Sequence, residues 1–125
     1  MGLFKRKPKP SDRVPPSDIK RDDLEVLEAM RDGGVDLAKP RGVEYFMLLP
    51  TAAAASAAAD EAAQQGWRVR IDEPDASEGL EEWDLHCMQE SIVLTEEFIR
   101  DGTLYFEDLA ARHGGALDGW EADAT

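Results

Sequence analysis

The sequence predicts an α+β protein, specifically a ferredoxin-like split β-α-β sandwich with a four-stranded antiparallel sheet and an extra N-terminal helix. Two observations support this class. Four short segments have the apolar patterns of β-strands, and the segments between them have helical composition or periodicity. Their order is strand, helix, strand, strand, helix, strand. The 125 residues suit a single domain with a substantial core.

Residues 1–16 differ in composition from the rest of the chain. They contain the basic run KRKPK and four prolines, and they offer few apolar side chains for burial. Such a segment does not bury enough surface to offset its ordering entropy, so we expect a disordered basic tail followed by one domain over 17–125. A solubilising leader is favoured over an electrostatic arm for RNA or an anionic lipid surface.

The extra helix is predicted to begin near Ser17 or Asp18, either of which can cap it. Leucine and methionine side chains recur on one face, and Gly33-Gly34 ends the helix. Acidic residues lie near its positive end, namely Asp22, Asp23 and Glu25.

The first strand of the sheet is predicted over residues 43–49. Both of its faces are largely apolar, as expected for a strand in the middle of a sheet. Pro50 ends it, and Thr51 caps a helix over 52–65 in which nine of 14 residues are alanine. Gly66 terminates that helix.

A hairpin is predicted next. Trp67, Val69 and Ile71 alternate with polar residues, as do Trp83, Leu85 and Cys87, and an acidic loop over 73–82 joins the two runs. The second of these strands is expected to lie centrally and the first at an edge. Thr95 caps the last helix, in which Gly102 is expected to permit close packing or to mark a break.

The last strand is predicted around Trp120, at the other edge of the sheet. One of the glycines Gly114 and Gly115 closes the preceding helix in a left-handed conformation, and Asp118-Gly119 kinks the strand. Packing under the sheet is slightly favoured for Trp120 over a role as a partner-facing anchor.

The charge is uneven along the chain. Residues 21–125 hold eight basic and 25 acidic side chains, which is a net charge of −17. A domain with this much negative charge repels phosphate, so we exclude duplex nucleic acid as a direct partner. We expect the partner to be a protein with a basic segment. The single cysteine cannot form an intrachain disulfide, which suits a cytoplasmic protein. The chain lacks a run of about 18 apolar residues, so no membrane span is expected.

The sequence shows no catalytic, cofactor-binding or metal-binding set. His86 and Cys87 are consecutive in a strand, so their side chains point to opposite faces and cannot share a metal ion. His113 is expected to cap a helix C-terminus, and Cys87 to be a small buried hydrophobe. Carboxylates crowd the 73–82 loop, where a solvated, self-repelling surface is the usual role.

Three patches together resemble the regulator of ribonuclease activity B family. The first is the end of the chain, where Leu109, Ala110, Gly114 and Gly115 precede Asp118, Gly119, Trp120 and Glu121. The second is GGVDLAKPRGVEYFMLLP at 33–50, and the third is GWRV at 66–69. The resemblance covers roughly residues 20–124. It implies a ferredoxin-like architecture and a small acidic bacterial protein that binds ribonuclease E and restrains RNA turnover.

We therefore predict a non-catalytic regulator that uses an acidic surface to bind a protein. The expected contact residues are Asp72, Glu73, Asp75, Glu78, Glu81, Glu82, Arg68, Arg70, Asp84, His86, Asp118 and Trp120. The alternative is a small ligand-binding module, or an oligomerising one whose edge strands pair in a homodimer. An enzyme is the third alternative, and it would need a cluster of carboxylates around His86.

Overall fold

The computed structural model describes residues 2–4 and 20–123. It confirms an α+β protein with three helices and an antiparallel sheet. The elements in chain order are β1 (Gly2–Phe4), α1 (Arg21–Asp32), β2 (Arg41–Leu49), α2 (Ala52–Gln64), β3 (Arg68–Asp72), a 3₁₀ turn (Ala76–Glu78), β4 (Trp83–Ile92), α3 (Glu96–Arg112) and β5 (Ala116–Asp123). Within the described residues, no helix has both the length and the apolar content needed to cross a bilayer.

The strands lie in the order β1-β5-β2-β4-β3, and every neighbouring pair is antiparallel. The central positions predicted for β2 and β4 are confirmed, as are the β3–β4 hairpin and the edge position of β3. The edge position predicted for the Trp120 strand is wrong in part, because β1 pairs with the end of β5 at Ala122 and Asp123. The rest of the predicted disordered tail lies outside the described residues, so that interpretation stays a prediction.

One face of the sheet forms the core. Tyr45 and Met47 of β2 lie opposite Cys87 and Leu85 of β4, and all four side chains are fully buried. The predicted alternation of β2 is therefore correct for this face. Four alanines of α2 are buried as well, and their small side chains let this helix lie close to the sheet.

All three helices end in the same way. At the end of α3, the Gly114 N–H donates to the Ala111 carbonyl and the Gly115 N–H donates to the Ala110 carbonyl. These two bonds define a Schellman motif, and Gly114 takes the left-handed conformation predicted for it, with φ at 80°. The ends of α1 and α2 repeat the pattern. The motif turns each helix back towards the sheet, so that a strand follows after a few residues.

A buried carboxylate holds α1 against the rest of the protein. Asp23 is fully buried, and it accepts hydrogen bonds from Trp120 Nε1 at 2.8 Å and from Thr103 Oγ1 at 3.0 Å. Lys20 also forms an ion pair with Glu107 of α3. The cap predicted at Ser17 or Asp18 lies outside the described residues, and α1 begins at Arg21. The position of Asp23 in the first turn was predicted correctly, but its role as a link between three elements was not.

Candidate functional site

The β3–β4 hairpin collects five of the predicted contact residues on the face of the sheet that points away from the core, here called the outer face. Arg70 lies opposite His86, and Asp72 lies opposite Asp84. Arg68, two residues before Arg70, points to the same face because side chains alternate along a strand. The register of the hairpin therefore brings these five side chains together on the outer face.

The two arginines of the outer face are each paired with an acidic side chain. Arg68 forms an ion pair with Glu90, and Arg70 lies 3.3 Å from Asp72. Burial raises the pKa of Asp72, but the hydrogen bond and charge of Arg70 and the contact with His86 more than compensate, so this pKa is lowered. Asp72 is thus ionised at neutral pH, and the paired arginines do not make this face basic.

His86 is buried between two carboxylates. Its Nδ1 lies 2.7 Å from Glu44 Oε2, and its Nε2 lies 3.0 Å from Asp72 Oδ2. The residue is only 8% exposed, and its ring and that of Phe46 meet in a T-shaped arrangement with their centroids 5.1 Å apart. Both ring nitrogens face protein carboxylates, so neither is presented to a substrate. His86 was predicted as a contact residue, and the structure places it among the buried side chains of the sheet. It joins three strands.

The loop over residues 73–82, here called the acidic loop, connects β3 to β4 and extends from one end of the sheet. Every residue in it is exposed except Pro74, which is half-buried. Asp75 Oδ1 accepts a hydrogen bond from the Ser77 N–H at 3.0 Å and so caps the 3₁₀ turn. Leu80, near the end of the loop that leads into β4, is 53% exposed. The loop therefore presents one apolar side chain among five carboxylates, those of Glu73, Asp75, Glu78, Glu81 and Glu82.

Two predicted contact residues lie elsewhere. Trp120 is 2% exposed and donates its indole N–H to Asp23, so in this structure its ring packs in the core under the sheet. Asp118 is half-buried on β5, where the pairing with β2 shifts register between Phe46 and Met47. This irregularity is the kink predicted from Asp118-Gly119. It lies apart in sequence and sheet position from the acidic loop.

A second surface feature is a groove of about 320 Å³ between α3, the end of α2 and the β3–β4 edge, here called the aromatic groove. Three of its lining residues carry aromatic rings, and Asp101 contributes a carboxylate. The complete lining is Gln65, Trp67, Gln89, Phe98, Asp101, Gly102 and Tyr105. The spacing of Phe98, Gly102 and Tyr105 puts them on one face of α3, but no local pattern indicates that Trp67 joins them.

Cys87 is predicted to be chemically inert. Its side chain is fully buried, and burial raises the pKa of its thiol to about 12. Because the thiolate is the reacting species, we expect iodoacetamide at pH 8 to modify the folded protein about a thousandfold more slowly than a free thiol. Mass spectrometry measures the rate, and the same protein in guanidinium chloride is the control. Rapid labelling of the folded protein would contradict this prediction.

The described residues contain no group of three or more histidine, cysteine, aspartate or glutamate side chains arranged to hold a metal ion. His113 does cap α3, and its Nε2 lies 2.6 Å from Glu61 of α2. The hydrogen bonds that Glu61 accepts from His113 and Arg112 lower the pKa of this carboxyl group. His113 thus joins two helices.

Comparison with known proteins identifies the family. The family model described as regulator of ribonuclease activity B matches residues 20–122, which include the three helices, the acidic loop and the aromatic groove. No curated protein sequence matches the chain significantly. The match covers well over half of the 125 residues and agrees with the family predicted from the three sequence patches. The chain therefore belongs to the regulator of ribonuclease activity B family.

Proposed function

We propose that this protein is a non-catalytic regulator that binds ribonuclease E in the cytoplasm and restrains RNA turnover. The family match over residues 20–122 is the observation that carries the proposal. The burial of both His86 and Cys87 supports a role without catalysis.

We also infer that β2–β5 form a ferredoxin-like split β-α-β arrangement. The strands on either side of α2, which are β2 and β3, are separated in the sheet by β4. This fold carries many functions, so the regulatory role rests on the family and on the surface.

The acidic loop is the contact surface that we propose. Its five exposed carboxylates attract basic segments of a ribonuclease that otherwise hold RNA, and the exposed Leu80 supplies an apolar contact among them. Opposite charges accelerate encounter, and this effect weakens as salt screens them. Asp72 and Asp84 extend the negative surface from the loop onto the strands.

Neutralising four loop carboxylates tests this proposal. In Glu73→Gln/Glu78→Gln/Glu81→Gln/Glu82→Gln, Asp75 is kept because it caps the 3₁₀ turn. We expect affinity for ribonuclease E at low salt to fall about tenfold, and the difference from the unmodified protein to shrink at high salt. Surface plasmon resonance at two salt concentrations measures both effects.

The matched control removes four exposed carboxylates from α1, namely Asp22, Glu25, Glu28 and Asp32. It changes the net charge by the same amount as the loop variant. An equal loss of affinity in both variants would show that binding depends on the overall charge and not on the acidic loop. Absence of any salt-sensitive binding by the unmodified protein would contradict the regulatory proposal itself.

An oligomerising module is the second candidate. Within the described residues, β3 pairs with β4 only, so its outer edge is open, and Val69 on this strand is 36% exposed. Such an edge can pair with a second copy. Light scattering after size-exclusion chromatography separates this candidate from a monomeric regulator, because edge pairing predicts a discrete dimer.

A further inference from the structure

The aromatic groove has the composition of a site for a positively charged side chain. The rings of Trp67 and Phe98 are tilted by 40° to each other with their centroids 6.3 Å apart, and Tyr105 and Asp101 complete the lining. Aromatic faces carry negative potential and attract cations, and the Asp101 carboxylate, which is paired with Arg100 through one oxygen, adds an acceptor beside them. The other polar groups are the amides of Gln65 and Gln89, whose carbonyl oxygens accept hydrogen bonds.

The groove is held in shape by the core beneath it. The Trp67 ring meets Tyr45 and Phe106 edge to face, at centroid distances of 5.8 and 4.8 Å. The Asp101 carboxylate accepts a hydrogen bond from Arg100 Nε at 3.0 Å through one of its two oxygens. A ligand therefore meets walls that are already positioned, which lowers the entropic cost of binding.

The size and charge of the groove point to one kind of occupant. Its volume of about 320 Å³ is near the lower end of the range for ligand sites, which suits a single side chain. Residues 20–123 carry nine basic and 25 acidic side chains, so a cationic ligand is attracted from a distance. Arginine fits better than lysine, because its planar guanidinium stacks on aromatic rings and donates several hydrogen bonds to carboxylate and amide oxygens.

We propose that the aromatic groove receives one arginine side chain from the protein partner, with the guanidinium stacked on the aromatic walls and hydrogen-bonded to Asp101. This inference rests on the proposed function for the source of the arginine, and it adds a second, more specific contact to the charge attraction of the acidic loop. The acidic loop accelerates the encounter of the two proteins. The aromatic groove then selects a partner whose arginine can reach the groove while its basic segment contacts the loop.

Peptide titration tests the site directly. The acetylated and amidated tripeptide Ala-Arg-Ala is added to the full chain, and NMR follows the Trp67 indole N–H. The matched peptide with citrulline keeps the shape of arginine but lacks its charge. We expect saturable shifts at Trp67, and binding of the citrulline peptide at least about fivefold weaker. Equal affinity of the two peptides, or shifts confined to other residues, would overturn the proposal.

Three variants refine the test. Asp101→Asn and Phe98→Leu should each lower the affinity for the arginine peptide about threefold or more. Glu28→Gln, which removes an exposed charge from α1, should leave its binding unchanged. Asp101 is exposed, so its variant is expected to fold even if Phe98→Leu does not. Unchanged binding in Asp101→Asn would overturn the proposal.

The same variants separate this inference from the proposed function. If ribonuclease E binds the chain and both groove variants keep full affinity for it, the groove inference is wrong and the regulatory role stands. If the arginine peptide binds the groove but ribonuclease E does not bind the chain, the ribonuclease proposal is wrong and the arginine site stands.

Discussion

Replacing Asp23 with alanine is expected to destabilise the protein by about 4 kcal/mol, which corresponds to a fall in melting temperature of roughly 15 °C. Asp23 is fully buried and accepts hydrogen bonds from Trp120 Nε1 and Thr103 Oγ1. Alanine would leave both buried donors without this acceptor, and each such loss costs about 1–3 kcal/mol. Denaturant unfolding followed by tryptophan fluorescence measures the change in the free energy of unfolding.

Glu28→Ala is the control, because Glu28 is exposed in the same helix. We expect its effect to stay within about 0.5 kcal/mol, as is usual for surface substitutions. The loss of stability in Trp120→Phe should lie between those of Asp23→Ala and Glu28→Ala, because phenylalanine lacks the indole N–H donor but keeps an aromatic ring. A loss below about 1 kcal/mol in Asp23→Ala would show that the buried carboxylate does not hold α1 in place.

Gly115→Ala is expected to destabilise the protein by about 3 kcal/mol. An added Cβ would lie 2.1 Å from the Leu48 carbonyl oxygen and 2.6 Å from Leu49 Cδ2. The closer of these atoms belongs to the backbone of the central strand, so it cannot move without disturbing the sheet. Relief of the overlap therefore requires β5 to shift away from β2. Urea unfolding measures this loss.

Gly33→Ala provides the comparison for the glycine prediction. Its added Cβ would have the Ala29 carbonyl oxygen as nearest neighbour at 3.3 Å, and the residue is exposed at the end of α1. We expect a change below about 1 kcal/mol. Similar losses in the two variants would indicate a general effect of adding a side chain at a helix end. A neutral Gly115→Ala would show that β5 is free to move.

The elements that the sequence predicted well are those with a local signal. The apolar alternation of β4 and the two apolar faces of β2 report directly which side chains point inward, because neighbouring residues alternate along a strand. Glycines near the helix ends likewise predicted where the helices end, and the structure shows that each end is a Schellman motif. The exposure of the acidic loop was predictable because a dense run of carboxylates is usually solvated.

Tertiary structure alone decided the roles that depend on distant residues. Trp120 and Asp23 are 97 positions apart, and no local pattern shows that an indole N–H and a first-turn carboxylate meet in the core. For the same reason, His86 looked available on its strand until Glu44 and Asp72 were seen to enclose it.

The sequence by itself determined the class of fold, the position of the central strand, the negative charge of the body and the family. These properties follow from the composition, from the spacing of apolar residues and from short motifs. Each of these signals lies within one segment and does not depend on the others. Only the folded chain decided that Trp120 is a buried donor and that Trp67, Phe98 and Tyr105 converge on one groove. The physical reason is that burial and convergence are set by packing between elements, which the order of residues within one element does not specify.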